Sequence, residues 1–413
     1  MGGEASRPAT VGRTRTTSLL VVLRFFYAYN WFDIGPALPR IGAAYGVGPG
    51  AWGLLVAAFL VGAGLTQVPA GLLARRSGER PVAFGGAAVL SVAALAGAFS
   101  PTYPILLATR AVAGVGAGLF FSPAIGWVGR LFGPGERGFP VGVFSSAFSA
   151  GAAAGVFGSA VLVPAVGWAG SLATGAVALG AVTVLSFCVV PREPIPDPPS
   201  PGPSSTGSAA WHGRSVVAVG LAFVGFEGAS FATGQFVVPF GEVVRLWPAW
   251  VAGAVGTAFV LPSVVGGPVG GVVAERSMRH RTQLVGATAV AAAALAALPL
   301  AGIAAAVAIG SVFSFGYGFV YAVMYVLPHY WRELPAREIP LAIGLFNAVQ
   351  LAGGAAVAAA FGAIVQARSF AAGWEFAALV QVAALVALVG LPPTDAGRRP
   401  AGAASVAPGA PAP

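Results

Sequence analysis

Gly71-Leu72-Leu73-Ala74-Arg75-Arg76-Ser77 and Gly271-Val272-Val273-Ala274-Glu275-Arg276-Ser277 are one short polar segment written twice, 200 residues apart. Each copy closes a long apolar run. The same offset relates Gly116 and Gly118 to Gly316 and Gly318, and Arg137 and Pro140 to Arg337 and Pro340. A single match means little in a chain with 60 glycines. Three regions sharing one offset indicate an internal duplication, with each copy carrying half of the fold.

The sequence around the two copies is made of apolar stretches. Hydrophobic residues are 57% of the 413, charged residues only 8%, and the mean hydropathy is +0.83. A soluble domain of that size could not bury so much apolar surface, so the solvent for most of the chain is lipid. A spanning helix needs about 20 apolar residues. Spans are expected near 19–39, 51–73, 82–100, 103–127, 139–163, 169–190, 215–240, 249–273, 284–300, 302–326, 341–366 and 374–391. The predicted fold is therefore an all-α polytopic membrane protein of about twelve transmembrane helices in two six-helix halves. A Pro-rich stretch, 191–214, reads as a linker between bundles at 19–190 and 215–391. Residues 1–18 form a polar N-terminal tail, and 392–413 are expected to be a disordered tail.

All 22 basic residues are arginine. If the N-terminus is cytoplasmic, seventeen of them fall on the cytoplasmic side and only Arg40, Arg245 and Arg368 outside. That bias places both termini in the cytoplasm, so the net charge of +9 reports topology and not nucleic-acid binding. The Arg-rich start resembles a signal peptide, but Arg24 and Asp33 within the apolar run and the lack of a small-residue cleavage site argue for a retained helix. Cys188 is the only cysteine, so neither a disulfide nor a metal–thiolate site is expected. There is no phosphate-binding Gly-Lys-Ser/Thr loop and no paired histidine for a metal, so no cofactor and no enzymatic chemistry are expected.

A charge within a span costs about 3 kcal/mol or more, which makes each one a candidate for function. Four qualify: Arg24, Asp33, Arg110 and Glu227. Asp33 and Arg110 fall at similar depths, about 9 and 10 Å below the outer face at 1.5 Å per residue. They could form a fixed ion pair, or one that opens when Asp33 is protonated and frees Arg110 for an anion. Glu227 lies near the midplane, and no arginine occurs within any span of the second half. It is expected to bind a proton readily, either permanently or as part of a cycle. Arg24 is near enough to the inner end to snorkel. Tyr317, Tyr321 and Tyr325 recur every four residues, with His329 continuing the stripe, and a row running mid-membrane is expected to face water or substrate. Tyr27 and Asn30 in the aromatic first span, and Asn347 and Gln350 one turn apart, complete the candidate lining.

These features resemble the major facilitator superfamily of secondary transporters, over nearly the whole chain. The family's Gly-x-x-x-Asp-Arg-x-Gly-x-Arg loop reads here Gly71, Arg75, Arg76, Gly78 and Arg80, with Arg75 in place of Asp; Glu275 and Arg276 occupy the second copy. Arg110, Gly114 and Gly116 meet the fourth-helix pattern. Asp33, Pro39 and Gln67-x-Pro69-x-Gly71 look most similar to the organic-anion symporter branch, although Ala117 replaces an acid found there. The resemblance implies that spans one, four, seven and ten line a central cavity, and that the loop residues Gly71, Arg76, Gly78, Arg80, Glu275 and Arg276 gate it.

The expected function is secondary active transport across the cytoplasmic membrane, by proton-coupled symport of a small organic anion. Arg110, Tyr27, Asn30, Tyr317, Tyr321, Tyr325, Asn347 and Gln350 would bind substrate, with Asp33 and Glu227 carrying protons. The alternative is a proton-coupled drug antiporter; helix five lacks the Gly-Pro pair such antiporters carry, because Val156 follows Gly155. The partners implied are the substrate, protons and the lipid bilayer, with the protein a monomer.

Overall fold

The computed structural model describes residues 7–132, 136, 138–191, 214–277, 279–327 and 339–389. Most of the linker, the tail, His329 and Arg337 lie outside them. The described residues are helical almost throughout and contain no strand. The helices are α1 (Arg7–Phe32), α2 (Ile34–Tyr45), α3 (Pro49–Ser77), α4 (Glu79–Ala98), α5 (Tyr103–Leu131) and α6 (Gly138–Val189), then α7 (Arg214–Val243), α8 (Ala249–Ala258), α9 (Ser263–Arg276), α10 (His280–Ala297), α11 (Ile303–Val326), α12 (Ile339–Ala367) and α13 (Phe370–Val389).

Ten helical segments among the described residues are long and apolar enough to cross a membrane. One of them, Phe139–Val189, is long enough to cross twice. It folds back at Gly167, whose φ of 75° suits a residue without Cβ. The α1–α2 pair supplies the remaining pass, which brings the described residues to twelve.

Two expected spans are interrupted. The first, expected as one helix over 19–39, runs from Arg7 to Tyr45 with a turn at Asp33. Pro36 and Pro39 lack the N–H that would hold the next turn to the last, so the helix breaks where they begin to act. Three carbonyls around the turn are met by side chains from other helices. Asn30 O accepts from Arg110, Trp31 O from Gln235 and Asp33 O from Ser159. The expected span 249–273 is likewise broken over 259–262, just before Pro262.

The duplication is also spatial. A Cβ added at Gly118 on α5 would lie 2.5 Å from the Ala63 carbonyl oxygen on α3, and one at Gly318 on α11 would lie 2.5 Å from that of Ser263 on α9. The same glycine position thus lets the same pair of helices touch in each half, and any larger residue would force them apart.

The halves meet mainly away from the face that bears the start of α1, here the terminal face. At the far face, Arg40 of α2 pairs with Glu242 of α7. Gly50 N donates to Gln366 Oε1 at 2.8 Å, joining α3 to α12. Deeper in, Gln235 Nε2 donates to Trp31 O at 2.8 Å, and Ser263 Oγ to Ser149 Oγ at 2.9 Å. Gly64 faces Leu351 at about mid-depth, and beyond it Leu65, Val68, Leu72 and Leu73 on α3 are exposed. Hydrogen bonds and glycine contacts thus close the far half of the seam.

Candidate functional site

Aromatic residues form the seal where the closed half of the seam ends. Phe231 of α7 stacks on Trp31 and Phe32 of α1, with ring centres 5.8 and 5.9 Å apart. One turn toward the terminal face, Tyr27 and Glu227 occupy equivalent depths on these two facing helices, about 6 Å below the seal. The candidate site lies at the seal and on its terminal side.

Its N-terminal wall carries three buried charges: Arg24, Asp33 and Arg110 are 7%, 2% and 5% exposed. Arg110 Nη1 donates to Asn30 O at 3.3 Å, and its guanidinium carbon lies 4.5 Å from the centre of the Phe59 ring. Its Nε has no hydrogen-bond partner, nor has Asp33 Oδ1. The expected pair between Asp33 and Arg110 is therefore not made. Among the described residues the ion pairs are Arg40–Glu242 and Arg130–Glu79. The turn at Asp33 offers Arg110 a backbone carbonyl, and the guanidinium takes it. Arg110 and Asp33 remain neighbours whose charges act on each other.

Arg24 does not snorkel. Its guanidinium carbon lies 4.3 Å from the Phe121 ring centre, 4.5 Å from Tyr27, 4.6 Å from Phe148 and 5.5 Å from Phe144. The helix starts at Arg7, so Arg24 stands about 26 Å along it and not near an end. Tyr27 is packed between Trp31 and Phe120, with ring centres at 5.3 and 5.1 Å. Asn30 uses its amide within its own half, donating to Phe26 O at 2.8 Å and Gly175 O at 3.0 Å.

The C-terminal wall is neutral apart from Glu227, which is 5% exposed. Tyr317 donates to Glu227 Oε1 at 2.7 Å. Tyr321 donates to Tyr325 at 3.3 Å, Tyr325 to Asn347 Oδ1 at 2.6 Å, and Gln350 Nε2 to the same oxygen at 2.8 Å. Four-residue spacing on α11 sets the tyrosine rings 5.9 and 4.7 Å apart, and Phe223 of α7 holds Tyr321 and Tyr325 from behind. Hydrogen bonds and ring contacts thus join Tyr317, Tyr321, Tyr325, Asn347, Gln350 and Glu227 into one polar group.

The loop residues play local parts here. Gly78, with φ 84°, turns the chain from α3 into α4. Arg80 donates to Val190 O at 3.2 Å and Phe187 O at 2.6 Å, capping the second arm of α6 within the same half. Glu79 pairs with Arg130 across α4 and α5. Among the described residues Gly71, Arg76 and Arg276 meet no partner in the other half, and Arg76 and Arg276 are exposed. The Glu275 side chain lies outside the described residues.

Sequence reasoning overlooked Gln235 and Ser159. Gln235 stands eight residues beyond Glu227 and hence on nearly the same helix face, which was a usable signal. The partner of Ser159, a carbonyl at a helix break, left none.

A helical bundle built from two similar halves, sealed at one face and carrying buried charges near the seam, has the plan of a secondary transporter that works by alternating access. The family model of the Major Facilitator Superfamily matches residues 20–331, and the chain belongs to that family; it is a multi-pass membrane transporter and not an enzyme. Among curated proteins none matches the sequence. Solved structures share the fold at low identity. The xylose transporter XylE from E. coli, in an inward-open conformation, has a TM-score of 0.75 and 14% identity, covering 94% of this chain and 98% of that one. A bacterial homologue of the human lysosomal transporter Spinster, inward-facing and occupied, has a TM-score of 0.73 and 15% identity, covering 93% and 96%.

Proposed function

We propose that the protein is a proton-coupled symporter of a small organic anion, acting as a monomer in the cytoplasmic membrane with both termini inside. On that topology the terminal face is cytoplasmic, and the conformation described is open inward. The observation that carries the reading is Arg110: a buried guanidinium, unable to lose its proton, whose Nε has no partner and whose acidic neighbour Asp33 is not bonded to it. An unmade hydrogen bond of a buried donor costs about 1–3 kcal/mol, and more for a charged one; an anion reaching that edge would remove the cost. Two buried arginines disfavour an apolar cation, the substrate of the alternative antiporter.

Asp33 and Glu227 would carry protons, with Tyr27, Asn30, Tyr317, Tyr321, Tyr325, Asn347 and Gln350 shaping the cavity. Arg76, Arg80, Glu275 and Arg276, with Gly71 and Gly78, would tie the terminal face together in the opposite access state. The units would be bundles at 19–190 and 215–391 joined by the 191–214 linker. The test is uptake into proteoliposomes under an imposed pH gradient, across carboxylates, nitrate, sugars and cationic dyes. Uphill accumulation of a carboxylate driven by protons is the expected result. Accumulation of dyes alone would replace it with the antiporter.

A further inference from the structure

Arg24 stands apart from Asp33 and Arg110, about nine residues from the turn and on the terminal side of the Trp31–Phe231 seal. Rings crowd its guanidinium: Phe121, Tyr27 and Phe148 all lie within 4.6 Å, and they come from α5, α1 and α6. Ring faces attract the cation without taking its N–H donors, which point outward in the guanidinium plane, and of these groups only the Tyr27 hydroxyl is placed to accept one. Nε and Nη1 are buried and have no hydrogen-bond partner. A cation kept only for packing would be expected to spend those donors on backbone carbonyls, as Arg80 does on Phe187 and Val190. Arg24 leaves donors on two sides of its guanidinium free.

What faces it comes from the other half. Tyr321 stands one turn toward the terminal face from Tyr317, whose partner Glu227 is level with Tyr27, so it lies at about the depth of Arg24 on the facing wall. Tyr27 and the half-buried Phe121 and Phe148 continue the wall. The Nε–Nη edge of arginine matches the two oxygens of a carboxylate, and an aromatic wall favours an apolar body attached to that carboxylate over a fully hydrated ion. We propose that Arg24 is a second anion subsite, on the open side of the seal, that takes the carboxylate of an apolar or aromatic organic acid before it reaches Arg110. This rests on the organic-anion reading and narrows its substrate class.

Benzoate is the probe, acetate the control, and the full-length protein in nanodiscs the sample. Saturable benzoate binding should weaken at least tenfold in both Arg24→Gln and Arg24→Lys, since an ammonium cannot supply the fork. Acetate should bind far more weakly to the unaltered protein. Should the variants misfold, arginine-specific modification by phenylglyoxal followed by peptide mass spectrometry gives the same answer on the unaltered chain. Arg24 should react, and saturating benzoate should slow that reaction at least tenfold. Benzoate affinity within twofold of normal in Arg24→Gln overturns the proposal, as does an Arg24 that never reacts or that benzoate fails to protect. Benzoate that protects Arg24 without proton-driven uptake would leave this subsite standing and remove the symport reading. Uptake that depends on Arg110 but not on Arg24 would do the reverse.

Discussion

The two halves share a fold and a repeat offset, yet their inner surfaces are built from opposite chemistry. The N-terminal half holds Arg24, Asp33 and Arg110 among aromatic rings, and several of their polar atoms lack a partner. The C-terminal half holds one carboxyl, Glu227, bonded to a tyrosine beside a row of hydroxyls and amides that bond to one another. Unpartnered cations invite an anion; a carboxyl held by neutral groups can change protonation without breaking an ion pair. The repeat gives both halves one frame; on the proposed reading the anion-binding arginines stand in the N-terminal half, while the proton-carrying acids, Asp33 and Glu227, are divided between the two.

The strongest way to break that division is Arg110→Gln. Glutamine keeps a hydrogen-bonding head for Asn30 O but removes the charge, and a neutral amide attracts no anion in a low-dielectric site. Uptake should fall at least a hundredfold while the protein still inserts and purifies normally. Near-normal uptake by this variant would show that the N-terminal charges are structural.

Next in size is Glu227→Gln, which mimics the protonated carboxyl and cannot release a proton. Substrate exchange between equal pools should persist, while accumulation driven by an imposed pH gradient is lost. If the variant still concentrates substrate, coupling resides in Asp33 and the C-terminal half is a passive wall. Tyr317→Phe sharpens the same point, because it deletes the 2.7 Å bond to Glu227. A hydrogen bond to a charged group is worth about 1.5–3 kcal/mol. The pH dependence of uptake should shift in Tyr317→Phe, with exchange at constant pH little altered.

How much of this was visible in the residues depends on what lipid penalises. The twelve passes were legible because exposed backbone and charge are both forbidden in hydrocarbon. Polar residues every four positions identified the C-terminal wall, since spacing on a straight helix carries over directly to a face. Arg24 was misjudged for a related reason. Hydropathy ended the first span near residue 19, but the rings of Phe121, Phe144 and Phe148, from helices remote in the sequence, hold the guanidinium in place of the headgroups. The Asp33–Arg110 pair was misjudged because a break in a helix creates acceptors that no spacing rule anticipates, and Asn30 O is one of them. Depth was legible; orientation about the turn was not.

The smallest expected effects lie at the two faces, and they test whether the halves move as units. At the far face the pairing of Arg40 with Glu242 joins α2 to α7 and is partly open to water, so its strength is modest, on the order of 1 kcal/mol. At the terminal face Arg76 is exposed and touches none of the described residues of the other half. If rocking exchanges one closed face for the other, weakening each face should push the equilibrium in opposite directions. Glu242→Gln should favour opening of the far face, seen as faster labelling of a cysteine introduced at the half-buried Ala359 of α12, which faces Gly53, in an otherwise Cys188→Ser background. Arg76→Ala should instead slow turnover a few-fold by weakening closure of the terminal face, with substrate affinity unchanged, because no loop arginine reaches the seal. A shift of only a few-fold is what 1 kcal/mol permits. A large loss of affinity in Arg76→Ala at unchanged turnover would mean that the loop shapes the binding site itself, and the two faces would no longer be equivalent ends of one rocking motion.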